Sequence, residues 1–231
     1  MKKIFKLLIS FFILTSSVVA EEVKVFEFTE EELGTLKVRK VRGADAKTKY
    51  FIGSNENGNY LKAVADNAAS GLGKEIKIDL NTTPYLNITW KVEKDLGGID
   101  ERSKKGHDYA ARVFVVKKTG ATPLSNRAMN YVFSSNEDVN VSHPSPYTKK
   151  SIDFVLATTK DNLNEWVTVK VNVKEHFKQF HDLDLDEING LAIMADTDNS
   201  KLSSIAYYQN IYFSSDWSIF NKFFEIHAKN G

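Results

Sequence analysis

The chain is predicted to be all-β, an antiparallel jelly-roll β-sandwich with few short helices. Three observations predict it. Stretch after stretch alternates apolar and polar residues with a period of two and is rich in Val, Ile, Phe and Tyr, the pattern of half-buried strands. Gly, Asn, Asp and Ser clusters stand between these stretches. Helical periodicity is scarce, and many short strands with few helices pack as a sandwich or barrel.

Taken in order, the alternation predicts strands at Val23 to Phe28, Leu36 to Val41, Lys49 to Ile52, Tyr60 to Ala65, Glu75 to Leu80 and Leu86 to Val92. It continues at Tyr109 to Lys117, Ala128 to Phe133, Ser151 to Ala157, Trp166 to Val173, Gly190 to Ala195 and Ile205 to Phe213. Asn57-Gly58-Asn59, Ser70-Gly71-Leu72-Gly73, Asp95 to Gly98 and Asp196 to Ser200 read as turns. Helical spacing survives in two places, Lys174 to Phe180 and an amphipathic stretch at Trp217 to His227.

The first twenty residues are a separate element. Lys2, Lys3 and Lys6 precede an apolar run from Ile4 to Val19 that ends in Val18-Val19-Ala20, which predicts a signal peptide over residues 1–20 cut before Glu21 and a periplasmic protein. The absence of cysteine excludes disulfides, thiolate metal sites and a lipidated N-terminal cysteine, so stability has to come from a packed core. Three of the 31 basic residues and none of the 30 acidic ones lie in the leader, which leaves a formal charge of −2 after cleavage. Interspersed charges of that balance imply no nucleic-acid partner. After cleavage no apolar segment approaches the ~20 residues that span a bilayer. No Pro-, Ser- or Gly-rich linker divides residues 21–231, which are expected to form one domain.

Alternation also assigns faces. Tyr109, Ala111, Val113 and Val115 share one side of their strand and read as core, whereas Asp108, Ala110, Arg112 and Phe114 share the other. Leu86, Ile88, Trp90 and Val92 point inward in theirs, and Trp166, Thr168, Lys170 and Asn172 point outward in another. Rings that stack on sugar C–H faces and forked donors that hold hydroxyl pairs are what a saccharide groove uses. The candidate ligand-binding residues are therefore Arg112, Asp108, Trp166 and Trp90. Four strand residues separate Asp108 from Arg112 by about 13 Å, so Arg112 needs another acceptor: Asp196, Asp198 or a ligand.

Gly106-His107-Asp108-Tyr109-Ala110-Ala111-Arg112-Val113-Phe114-Val115-Val116 resembles a segment of the exported bacterial family called domain of unknown function 3047. Thr83-Pro84-Tyr85-Leu86 running into Thr89-Trp90-Lys91-Val92, Ala68 to Leu72, Gly190 to Asn199 and Ala206 to Ile211 extend the resemblance over about residues 25–215. Where the family pattern has a Trp-x-Trp pair, this chain has Ile88 before Trp90. The resemblance implies a compartment and a jelly roll related to carbohydrate-binding modules. It implies no chemistry.

Among candidate chemistries, Asp196, Asp198 and Asn199 offer three oxygen side chains in four residues, a density that suits calcium. They lack the glycine and distal glutamate of an EF-hand, and the same residues make ordinary turns or a polar network with Arg112. Asp182, Asp184 and Asp186 would share one face of a strand, in the manner of paired glycosidase carboxylates, but their place after a short helix favours a loop. The five histidines include no His-x-His or His-x-x-x-His pair, and no Gly-x-Ser-x-Gly elbow or phosphate loop occurs. Asn81 and Asn140 head Asn-x-Thr and Asn-x-Ser sites with an acid two residues earlier. The leading expectation is a non-catalytic binder of a saccharide or another cell-envelope ligand. A glycan-cleaving hydrolase or lyase on the same fold, and an envelope assembly partner, are the alternatives.

Overall fold

A computed structural model describes residues 21–41 and 43–215; the expected leader at 1–20 and the expected helix at Trp217 to His227 lie outside them. The described strands are β1 (Glu22–Lys24), β2 (Lys37–Lys40), β3 (Lys49–Asn55), β4 (Gly58–Asp66), β5 (Ala69–Asp79), β6 (Tyr85–Lys94) and β7 (Ala111–Lys117). They continue with β8 (Arg127–Ser134), β9 (Ser142–Ser145), β10 (Thr148–Thr158), β11 (Val167–Asn172), β12 (Glu187–Asp196) and β13 (Ser203–Ser214). Three short helices, α1 (Glu30–Thr35), α2 (Thr159–Asn162) and α3 (Val173–His181), connect them.

The strands form two sheets. Sheet A runs β11-β6-β13-β4-β3, with β1 beside β13, and sheet B runs β2-β5-β12-β7-β8-β10-β9. Between them lies one apolar core, into which Leu61 and Ala63 of β4, Leu86, Ile88, Trp90 and Val92 of β6 and Tyr208 of β13 project from sheet A. Leu72, Val113, Tyr131, Phe133 and Ile193 meet them from sheet B. The inward halves of β6 and β11, and of β7 from Ala111 on, are those that alternation assigns.

Three local expectations are corrected, and one helix is added. Ser70 to Gly73 is no turn but the middle of β5, hydrogen-bonded to β2 on one side and β12 on the other, so two ladders hold glycines that would otherwise break a strand. β8 and β10 run parallel, because the short β9, with Pro144, returns the chain along the edge before β10 begins. Tyr109 precedes β7 instead of lying in it. Its ring joins Val132 and Val155 on the outer side of sheet B, so it does not share the inner face of Val113. α1 was not read from periodicity, since it buries no residue; a capping box makes it, Thr29 accepting from the Glu32 N–H at 3.1 Å and the Glu32 carboxylate accepting from the Phe28 N–H at 2.9 Å.

Candidate ligand-binding faces

Arg112 follows Ala111 at the start of β7 and points away from the core, as alternation requires, yet it is only 2% exposed. The expectation that it stands on an open face is corrected: residues 106–110 and the turn after β12 lie across that side of the sheet. Met194 of β12 pairs with Arg112, which brings Asp196 to the same level two residues on. The guanidinium grips that carboxylate with both arms, Nε donating to Oδ1 at 2.9 Å and Nη2 to Oδ2. Nη2 also donates to the His107 carbonyl at 3.2 Å, and the Tyr109 ring lies 4.7 Å from the guanidinium carbon. Burial pushes the Asp196 carboxyl up to about 6 although Arg112 pulls the other way.

Asp108 is fully buried and ties down the turn. Its carboxylate accepts from the backbone N–H groups of Asn199 and Ser200 at 3.2 and 2.6 Å and from the Asn199 amide at 2.9 Å. Carboxylate oxygens of Asp108, Asp196 and Asp198 lie within 4.8 Å of one another. Asp198 carries the one oxygen of this group that is buried without a partner among the described residues, and burial, then Asp108, raise its carboxyl. The Asn199 Oδ1 accepts from the Tyr147 hydroxyl at 2.7 Å.

Farther along the same face, other acids are equally engaged. Asp153 bonds His107 Nε2 at 2.7 Å and the Asn130 amide at 2.5 Å. Glu101 accepts from Ser134 Oγ at 2.5 Å and the Ser135 N–H at 2.9 Å, and burial raises its carboxyl. Asp182, Asp184 and Asp186 lie exposed in the loop between α3 and β12, as the loop reading expects.

Trp90 is removed from the candidate set. It is wholly buried at the centre of β6 with its ring 5.5 Å from that of Phe133, beyond reach of any external ligand. Trp166 is different: it is 38% exposed on the outer side of sheet A. There its indole meets two rings that sequence reasoning missed, Tyr60 at 6.1 Å and Tyr207 at 6.0 Å, and these two meet each other at 5.6 Å. Tyr60 lies flat over Gly53, where a Cβ would come within 2.5 Å of its ring. The signal for Tyr60 and Tyr207 was present, as both alternate outward. Their meeting depends on strand order, in which Tyr207 of β13 pairs with Lys62 of β4 on one side and Lys91 of β6 on the other.

No curated protein matches this chain in sequence. Among solved structures it is similar to the family 30 carbohydrate-binding module of a cellulosomal cellulase of Clostridium thermocellum, with TM-score 0.50 and 9% identity over 86% of this chain and 99% of that one. It is also similar to a second family 30 carbohydrate-binding module (TM-score 0.49, 8% identity, 85% and 88% covered). A third is the xyloglucanase domain of a type three effector from Sinorhizobium fredii, in complex with cellobiose (TM-score 0.43, 11% identity, 78% and 98% covered). At such identities the likeness is one of fold, the two-sheet jelly roll. The family model described as protein of unknown function DUF3047 matches residues 35–212, which contain every motif from Ala68 to Ile211 singled out above, and the chain belongs to that family.

Proposed function

We propose that this protein is an exported, non-catalytic saccharide binder whose binding surface is the aromatic platform on sheet A. The observation that carries the reading is the exposed Trp166 indole, held in place by Tyr60 and Tyr207. An indole fixed by neighbouring rings offers a π-face to sugar C–H groups at little entropic cost. Thr89 and Thr168, bonded to each other at 2.9 Å on neighbouring strands, place hydroxyls on the same side. The fold's likeness to a module named for carbohydrate binding supports this class of ligand. That the acids of sheet B are taken up by Arg112, His107 and backbone N–H groups favours binding over glycan cleavage.

Glycan-array binding of the mature protein, followed by calorimetry on the best ligand, tests the proposal. Trp166→Ala should weaken binding at least fivefold, because stacking on an exposed ring contributes about 1–3 kcal/mol, and should barely change stability. Unchanged affinity in that variant, or an array with no bound glycan, refutes it.

A further inference from the structure

We infer that the saccharide taken by the platform is acidic, its carboxylates held by Lys62 and Lys91 on either side of Tyr207. This rests on the platform reading above and adds the ligand's charge. The register places Phe51, Lys62, Tyr207 and Lys91 on one line across β3, β4, β13 and β6. Two ammonium groups thus flank one ring, on strands separated by two inter-strand steps, about 10 Å. Lys62 Nζ lies 5.3 Å from the Tyr207 ring centre, and Lys91 Nζ lies 4.7 Å from it and 6.0 Å from that of Trp166.

What these lysines lack is a direct ion pair. Among the described residues neither forms a direct ion pair: Lys62 bonds the Tyr207 hydroxyl and feels the Glu93 carboxylate beyond it, and Lys91 donates to the amide oxygen of Asn164 at 3.2 Å. The nearby carboxylate of Glu93 accepts from the Tyr207 hydroxyl at 2.5 Å, so it is turned to the phenol. Lys49, outward beside Phe51 in β3, adds a further cation to this side. Some surface lysines do pair with acids, as Lys37 and Lys118 do with Glu75 and Lys201 with Asp45. Two cations held at rings, with the one nearby acid engaged by the phenol, are complementary to a ligand that stacks through its ring and carries its own negative charge. An ammonium is a point charge on a flexible stem, which suits carboxylates placed along a chain of sugars. Phe51, 50% exposed at the far end of the line, extends the apolar contact beyond Lys62.

Affinity electrophoresis of the mature protein tests this, in gels holding polygalacturonate, the same polymer with its carboxyls methyl-esterified, or neutral hydroxyethyl cellulose. The acidic polymer should retard the protein most, with the effect falling as salt rises. Lys62→Gln and Lys91→Gln should each weaken that retardation about tenfold, the worth of one charge-assisted hydrogen bond, and Trp166→Ala should abolish it. Equal retardation by acid and ester, or lysine variants that behave as wild type, overturns the acidic ligand while leaving the platform standing if Trp166→Ala still abolishes binding. Retardation that survives Trp166→Ala is charge adsorption and overturns both readings, as does the absence of retardation in every gel.

Discussion

Arg112 and Asp196 show how little a residue's face says about its role. Both point away from the core, yet they form a two-armed pair that is closed from solvent by the chain around His107 and Tyr109. Breaking such a pair from one side leaves a stranded charge, so Arg112→Ala should lose about 3–5 kcal/mol in urea denaturation. Replacing both partners, as in Arg112→Met with Asp196→Leu, should recover most of that loss. The neighbouring acids lead to a second expectation. Calcium needs about six to eight oxygen ligands, whereas Arg112 occupies both oxygens of Asp196 and backbone N–H groups bond those of Asp108. A chelator should therefore leave the melting temperature unchanged. A fall reversed by added calcium would instead assign an ion to the free oxygen of Asp198.

At the scale of an element, α3 joins the edge of the sandwich to the loop before β12. Asn172 caps it, accepting from the Glu175 N–H at 3.1 Å, and Asp182 ends it in the left-handed conformation at φ 55°. Phe177 fills the core beneath, and His176 packs against Phe154 at 4.4 Å and Tyr131 at 5.8 Å. Burial among these rings pushes the His176 imidazole from 6.5 down to about 4. The unfolded chain thus takes up a proton that the folded one refuses, so this contribution to stability is present above pH 6.5 and is lost as pH falls toward 4. His176→Gln removes the titration. Urea denaturation at pH 7 and 4.5 should show wild type losing on the order of 1–2 kcal/mol more than the variant across that interval, after allowing for partial solvent screening.

The whole molecule depends on a core that both sheets share. Trp90 of sheet A packs on Phe133 of sheet B, and Tyr208 reaches from β13 to donate to the Met194 carbonyl of β12 at 2.6 Å. Neither sheet can keep its apolar face covered if the other detaches. Unfolding should accordingly be a single transition, with tryptophan fluorescence and far-ultraviolet circular dichroism coinciding in one denaturant titration. Separate midpoints for the two probes would mean that the sheets open independently.

Side-chain alternation is a local property of an extended backbone, so the strands, their inward faces and the inward course of Trp90 could be read directly from residue order. The same holds for α3, whose helical spacing lies within one short segment. Sequence by itself also determined the basic-then-apolar pattern of residues 1–20, the lack of any disulfide and the family resemblance, since each is a matter of which residues follow which. Only the tertiary structure decided that Asp196 is the partner of Arg112, that the loop over β7 closes this face, and that Trp166 meets Tyr60 and Tyr207. Asp196 is 84 residues from Arg112 in the chain, and the rings come from strands that become neighbours only when sheet A assembles. Strand order follows from how two sheets can jointly bury their apolar faces, a condition on the whole chain that no single segment carries.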